Sequence, residues 1–185
     1  MLRILVSLSV PGRTLHVLEI GTLFGIGATI IHDRTNGNFD SVHLTLVDPL
    51  EGYYGNNTPD ILTNELVSRK NLVTNLAKAS IPETDYTIIQ GLSMDDEVIE
   101  AAAKNSYDVL IIDGDHSYAG VKNDFVHFAP FVKRGGYIIV DDYGTDHWPD
   151  IAKYVDDELM PRGDILLVGA SYRTAVFKVI KRVKT

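Results

Sequence analysis

The sequence predicts a doubly wound α/β fold, with a mostly parallel sheet that ends in a C-terminal antiparallel hairpin. Short apolar runs alternate with segments of helical period along almost all of the 185 residues. The apolar runs are nearly continuous, which is typical of parallel strands that are covered by helices on both faces. The last two runs are separated only by residues 171–173, and so short a loop can join only antiparallel strands.

The predicted strands are apolar runs bounded by glycine, serine or acidic residues. In chain order they are expected at Leu15–Gly21, Val42–Asp48, Asp85–Gly91, within Tyr107–Ser117, within Gly135–Gly144, at Ile165–Ala170 and at Thr174–Ile180. Residues 1–13 precede them and are predicted to form an edge helix or a lead-in strand.

Five helices are predicted between the strands, from apolar residues at helical spacing. They are expected at Gly27–Thr35, Asp60–Lys78, Asp95–Lys104, Tyr118–Lys133 and Pro149–Met160. An Asn36-Gly37 turn ends the first helix, and proline occupies the favoured first turn of the last one. No repeat or linker divides the chain, so residues 1–185 are predicted to form a single domain.

Composition excludes several functional classes. The formal charge of −8 argues against nucleic acid, whose phosphates require clustered Lys and Arg. The absence of cysteine excludes disulfides, thiolate metal sites and cysteine nucleophiles. No apolar run approaches the ~20 residues that span a bilayer. These observations predict a cytoplasmic protein that binds neither nucleic acid nor membrane.

The loop after the first strand is glycine-rich and predicts a ligand site, because ligands of such sheets bind beyond the carboxyl ends of the strands. It runs from Glu19 to Gly27. A dinucleotide fingerprint would need glycine in place of the bulky Leu23 and Ile26, which disfavours an NAD-dependent oxidoreductase. A ligand that presents a carboxylate needs less room.

The next two strand ends offer further contacts to a nucleoside. Asp48 could accept hydrogen bonds from both ribose hydroxyls, or it could be a turn residue before Pro49. The segment Gly91–Ser93 could border an adenine, or it could be an ordinary turn in which Ser93 caps the next helix.

Five segments in this order resemble the class I S-adenosylmethionine-dependent methyltransferases, in particular a metal-dependent branch that methylates hydroxyl groups. They are VLEIGTLFGIG, VDPLEGYYG, IIDGDHSYAGVKNDF, GGYIIVDDYG and WPDI, and the likeness extends from about Leu15 to Asp157. It implies a Rossmann-like sheet of seven strands with the last inserted antiparallel. The strand ends and this resemblance together predict cofactor contacts at Glu19, Gly21, Thr22, Gly25, Asp48, Pro49, Gly91, Leu92, Ser93 and Asp113.

Carboxylates follow the fourth and fifth strands. If these strands are neighbours, Asp113 and Asp141 emerge at the same edge of the sheet, with Asp115 and Asp142 close by. Such carboxylates repel one another unless a proton, a basic partner or a cation offsets their charge. Oxygen ligands favour Mg²⁺, Ca²⁺ or Mn²⁺. We therefore predict a divalent-ion site at Asp113, Asp141 and Asp142, positions that hold the ion in the relatives.

His116 is the predicted general base, because an imidazole titrates near neutrality and the matching position is the base in the relatives. Together with Asp113 it is the predicted catalytic pair. Alternatively, Asp115-His116-Ser117 could be a capping sequence for the following helix. Three aromatic residues, Tyr53, Tyr54 and Trp148, could line the acceptor pocket or shield a sulfonium. His147, beside Trp148, could face the same pocket.

The sequence therefore predicts an S-adenosylmethionine-dependent O-methyltransferase that acts on a small molecule or a sugar, assisted by Mg²⁺. A metal-independent methyltransferase and a non-catalytic S-adenosylmethionine-binding protein are the alternatives. A cover for the acceptor is expected from residues 51–64, from residues 143–150, or from a second subunit of a homo-oligomer.

Overall fold

The computed structural model describes residues 13–35, 37–52, 58–60, 63–171 and 173–184. The predicted lead-in segment 1–12, Asn36, and the two tyrosines expected near the acceptor, Tyr53 and Tyr54, lie outside the described residues. The seven strands are β1 Thr14–Ile20, β2 Ser41–Asp48, β3 Tyr86–Gln90, β4 Tyr107–Ile112, β5 Val132–Val140, β6 Ile165–Ser171 and β7 Thr174–Val179.

The strands form one sheet in the order β3-β2-β1-β4-β5-β7-β6. Strands β1 to β5 pair in parallel, whereas β7 pairs antiparallel with both β5 and β6. This arrangement confirms the predicted fold class, including the antiparallel insertion. The strand order reverses between β1 and β4, so the carboxyl ends of these two strands border the crevice in which α/β sheets bind ligands.

Helices cover both faces of the sheet. They are α1 Ile26–Thr35, α2 Arg69–Lys78, α3 Asp96–Ala102, α4 Tyr118–Phe128 and α5 Pro149–Tyr154. Alternate residues of β4 belong to different cores: Leu110 and Ile112 pack with α3, α4 and α5, whereas Val109 and Ile111 pack with α1 and α2. Within the described ranges, no helix is long and apolar enough to cross a bilayer.

The prediction for α2 was wrong at its start, since the helix begins at Arg69 rather than at Asp60. The Ser68 hydroxyl accepts from the backbone N–H of Asn71 and so caps the helix there. Upstream, the backbone N–H of Asp60 donates to the carbonyl of Glu65 at 2.9 Å, which forms a separate turn. The described residues 63–67 are therefore not helical, although Leu66 fits the predicted stripe.

Two other helices are shorter than predicted. The helix α4 ends at Phe128, and a 3₁₀ turn at Ala129–Phe131 leads directly into β5. The helix α5 ends at Tyr154 and continues as a π-helical turn at Val155–Leu159.

Candidate active site

Three central strands meet at the carboxyl edge of the sheet. The backbone N–H of Asp113 donates to the carbonyl of Ile20, and that of Asp141 donates to the carbonyl of Ile112, each at 3.0 Å. These bonds extend the parallel ladder by one residue beyond the ends of β4 and β5. The predicted proximity of Asp113 and Asp141 is thereby confirmed at the level of the backbone.

Asp113, His116 and Asp142 form a cluster, in which one ligand atom from each lies within 4.8 Å of the others. The Nε2 of His116 is 3.4 Å from Oδ1 of Asp113 and 3.7 Å from Oδ2 of Asp142. Two carboxylates and an imidazole thus converge at the end of the sheet. A divalent ion could be held by such a donor set.

Burial has the largest effect on the electrostatics of Asp113, and neighbouring carboxylates add to it. Burial raises the pKa of Asp113, and the carboxylates of Asp141 and Asp142 raise it further, whereas the hydrogen bond from His116 lowers it. The charged form of Asp113 is thus disfavoured by its surroundings. A bound cation would relieve this cost.

The hairpin between β6 and β7 reaches the same cluster. The guanidinium of Arg173 is 2.5 Å from Oδ1 of Asp142, and the hydroxyl of Thr174 donates to Oδ1 of Asp141 at 2.7 Å. Neither residue was predicted from the sequence, because both lie outside the segments that follow β4 and β5. The signal was the predicted antiparallel hairpin: β7 runs opposite to β5, which brings its first residues to the carboxyl end of β5.

The structure thus separates the three predicted metal ligands. Asp113 and Asp142 lie in the cluster with His116, while the carboxylate of Asp141 is engaged by Thr174.

Trp148 packs beside the predicted base. Its ring centroid lies 4.7 Å from that of the His116 imidazole, with the planes inclined at 33°. The neighbouring His147 is exposed. Of the aromatic residues predicted to line the acceptor pocket, Trp148 is therefore placed at the cluster itself.

The capping alternative accounts for the neighbours of His116. The Ser117 hydroxyl accepts from the backbone N–H of Gly120 and caps α4, while the Ser117 N–H donates to the carboxylate of Asp115 at 2.9 Å. His116 lies between these two residues, yet its ring points into the cluster. The same short sequence therefore both starts a helix and presents an imidazole.

Glu19 lies beneath the glycine-rich loop rather than on its surface. It is buried, and its Oε2 accepts from the Thr22 hydroxyl at 2.8 Å. Burial raises the pKa of Glu19 to about 7, partly offset by that bond, and nearby Asp113 and Asp48 raise it too. A Cβ at Gly27 would lie 2.0 Å from Oε1 of Glu19, so only glycine allows this approach. Gly27 was not among the predicted site residues.

Gly21 joins the loops after β1 and β4. Its φ is +86°, and a Cβ there would lie 2.0 Å from the backbone oxygen of Asp113. A side chain would push the two loops apart. Gly25, by contrast, lies against the side chain of Leu72 on α2. The predicted role of Gly25 in cofactor binding stays a prediction.

Asp48 organises the loops that follow β1 and β2. It is buried, and its two carboxylate oxygens accept from the backbone N–H groups of Leu23, at 2.8 Å, and Leu50, at 2.7 Å. Burial raises the pKa of Asp48, while these two bonds lower it. The carbonyl of Pro49 accepts from the Gln90 side chain at 3.2 Å. The turn interpretation therefore describes the observed contacts, and ribose binding stays a prediction.

The loop after β3 is tied to α4. The Ser93 hydroxyl donates to Oδ1 of Asp124 at 2.5 Å, so Ser93 does not cap the next helix as the alternative proposed. Instead, Asp95 precedes α3 and accepts from the backbone N–H of Leu92 at 3.0 Å. Burial raises the pKa of Asp124 to about 6, and the bonds from Ser93 and Asn123 oppose that rise. Sequence reasoning did not identify Asp124.

Comparison with known proteins identifies the family of the chain through a family model. A family model described as a methyltransferase domain matches residues 18–143. The sequence is 30% identical to the mycinamicin VI 2''-O-methyltransferase of Micromonospora griseorubida over 83 residues. These residues make up 44% of this chain and 21% of that relative.

Two solved structures share the fold. The O-methyltransferase NovP superposes with a TM-score of 0.70 at 20% identity, over 97% of this chain and 76% of NovP. The MycE methyltransferase, solved in complex with Mg, SAH and mycinamycin VI, superposes with a TM-score of 0.59 at 18% identity, over 92% of this chain and 45% of MycE. The aligned stretches span less than half the length of the curated relatives that the chain matches.

Proposed function

This chain belongs to the methyltransferase domain family, with the fold of class I S-adenosylmethionine-dependent enzymes, and on that premise we propose its reaction. The protein moves the methyl group of S-adenosylmethionine to a hydroxyl of a small molecule or a sugar, with a divalent ion assisting. One observation carries this proposal: Asp113, His116 and Asp142 converge at the end of the sheet, where the loop after β1 meets the loop after β4.

The cofactor would lie along the loops that follow the first four strands. Those loops contain the predicted contacts, which are Glu19, Gly21, Thr22, Gly25, Asp48, Pro49, Gly91, Leu92, Ser93 and Asp113. Glu19 and Asp48 are buried and already accept hydrogen bonds from the loop after β1. They would therefore hold the shape of this loop as well as contact the cofactor.

The donor set fits a divalent cation. Asp113 and Asp142 offer the oxygen atoms that Mg²⁺ and Mn²⁺ prefer, and Asp141 is one residue away. That MycE was solved with Mg and SAH supports the same class of ion. When bound, the ion would lower the pKa of an acceptor hydroxyl.

His116 would act as the general base. The acceptor oxygen attacks the methyl carbon as the bond from carbon to the sulfonium breaks, which leaves S-adenosylhomocysteine and a methyl ether. The proton of the hydroxyl passes to the imidazole of His116, and the adjacent Asp113 carboxylate orients the ring and stabilises its cationic form. Trp148 keeps one face of the imidazole away from water.

A sugar hydroxyl is the favoured acceptor because the curated relative methylates a 2''-hydroxyl of mycinamicin VI. A cover from residues 51–64, from residues 143–150 or from a second subunit would shield this acceptor. We propose a cytoplasmic location and neither a nucleic-acid nor a membrane partner, in keeping with the net charge of −8.

One observation favours a metal-independent reaction as the second candidate. The Arg173 guanidinium already neutralises part of the charge of Asp142. In that case EDTA would leave methyl transfer unchanged.

The test is a comparison of binding with turnover. S-adenosylhomocysteine formation is followed with a panel of glycosylated macrolides and free deoxysugars, and cofactor binding is followed by calorimetry. Asp142→Ala removes a carboxylate of the cluster and is expected to abolish turnover while cofactor affinity stays within about threefold of the parent protein. Equal loss of both would contradict the proposed role of Asp142, and cofactor binding without turnover on any acceptor would favour a non-catalytic binding protein.

A further inference from the structure

The contact between Arg173 and Asp142 joins the β6–β7 hairpin to the cluster of Asp113, His116 and Asp142. Asp142 follows β5 and belongs to the cluster, whereas Arg173 belongs to the β6–β7 hairpin. The side chain of Asp142 is largely buried, at 16% exposure, while that of Arg173 is 56% exposed. The arginine therefore approaches a fixed carboxylate from the solvent side, and it can leave without opening the core.

Both oxygens of Asp142 have neighbours. The guanidinium lies 2.5 Å from Oδ1, while the imidazole of His116 lies 3.7 Å from Oδ2. A divalent ion that joins the cluster would bring two positive charges to within a few ångströms of the guanidinium. Since like charges repel strongly at such distances, the ion and Arg173 compete for this carboxylate.

We propose that Arg173 is an internal cation that competes with the divalent ion for Asp142 and so sets the ion affinity of the site. This inference rests on the proposed function, because it assumes that the cluster takes a metal. Arg173 holds Asp142 in the metal-free protein, and ion binding displaces its side chain towards solvent. The adjacent Thr174 keeps Asp141 in place through its hydroxyl during this exchange.

The backbone has an uncommon conformation at both residues of the contact. Arg173 has a φ of +71° and Asp142 a φ of +56°, so both residues lie in the left-handed region, which L side chains seldom adopt. The hydroxyl of Thr174 contacts Asp141 rather than Asp142, so that contact does not depend on the charge of Arg173.

The sole tryptophan supplies a direct probe of the cluster. Trp148 is the single tryptophan of the sequence, and its ring lies 4.7 Å from that of His116. Mn²⁺ quenches nearby indole fluorescence, so a titration of the cofactor-free full chain with MnCl₂ reports arrival of the ion. Free Mn²⁺, followed by electron paramagnetic resonance, gives the affinity independently.

The variants separate local charge from net charge. Arg173→Gln removes the cation and is expected to lower the Kd for Mn²⁺ by about fivefold to tenfold, a typical coupling between sites. Arg173→Lys keeps the charge and should stay within about twofold of the parent protein. Arg34→Gln makes the same change of net charge at an exposed arginine that pairs with Asp33 on α1, and should leave the Kd unchanged.

An unchanged or higher Kd in Arg173→Gln would overturn the inference, as would failure of both proteins to bind Mn²⁺. The same measurements distinguish failure of this inference from failure of the proposed function. If Arg173→Gln gains affinity but neither protein transfers methyl groups, the inference stands and the function does not. If transfer requires the ion but the two Kd values agree, the function stands and the inference does not.

Discussion

The two ends of strand β4 each carry an aspartate, and the surroundings of these aspartates differ. Asp108, near the start of the strand, is buried and meets the Arg13 guanidinium. The Nζ of Lys133 lies 3.2 Å from both of its oxygens, and the backbone N–H of His16 donates to it at 3.0 Å. Asp113, just beyond the other end, lies instead among further carboxylates.

Carboxylate charge is balanced at the amino edge of the sheet but not at the carboxyl edge. At the amino edge of the sheet two basic side chains surround one carboxylate. At the carboxyl edge Asp113, Asp141 and Asp142 share His116 and Arg173 among them, and the pKa of Asp113 is raised mainly by burial and then by its acidic neighbours. The carboxyl edge therefore keeps an excess of negative charge, whereas the charge of Asp108 is balanced by Arg13 and Lys133.

The largest effect is expected from the imidazole of the carboxyl edge. His116→Gln should reduce methyl transfer by about 10²- to 10⁴-fold, because the acceptor proton loses its base. Binding of S-adenosylhomocysteine should change little. His43→Gln is the matched control, since His43 lies on the flank of β2 and bonds the hydroxyl of Thr87 at 2.9 Å. Equal activity of the His116 variant and the control in a steady-state assay would show that His116 is not the base.

The second test compares the contributions of Asp108 and Asp113 to the free energy of unfolding. Asp108→Asn should lower the free energy of unfolding by about 2 kcal/mol, since two cations lose a buried partner, although both can still reach water. Asp113→Asn removes a charge that its neighbours disfavour, and should leave stability equal or slightly higher without added metal. Urea unfolding of both variants measures this. A larger loss of unfolding free energy in the Asp113 variant than in the Asp108 variant would contradict this expectation.

These contrasts also show what the sequence could predict. The alternation of apolar runs, the neighbouring positions of Asp113 and Asp141, and the antiparallel hairpin all follow from local pattern. The pairing of Asp108 with Arg13 and of Asp142 with Arg173 does not, because each joins residues far apart in the chain that only the completed sheet brings together.

The start of α2 was missed for a different reason. The leucine spacing is helical from residue 62 onwards, but the hydroxyl of Ser68 caps the helix just before Arg69, and spacing alone cannot reveal that cap. Burial was equally hidden. Nothing in the sequence separates Asp124, which is buried and bonded to Ser93, from an exposed aspartate on a helix.

A smaller, pH-dependent effect is expected at Glu19. The pKa of its carboxyl is raised from 4.5 to about 7, so the folded state holds a proton that the unfolded state releases between these values. Stability should therefore be greatest below about pH 4.5 as far as this group is concerned, and should fall as the pH rises towards 7.

Glu19→Gln removes that dependence. The variant should be more stable than the parent protein by on the order of 2 kcal/mol at pH 8. Its advantage should vanish near pH 4.5, the value at which the unfolded carboxyl titrates. Thermal unfolding across this range provides the measurement, and a constant difference at every pH would refute the assignment.

The carboxyl edge of the sheet is proposed to be a cation site beside a bound nucleoside. A crystal grown with S-adenosylhomocysteine and MnCl₂, and measured at a wavelength at which manganese scatters anomalously, tests this directly. We expect one anomalous peak in contact with the carboxylates of Asp113 and Asp142, with the nucleoside against the loop of Gly21. Bound S-adenosylhomocysteine without an ion there, or an ion at Asp108 instead, would contradict the account.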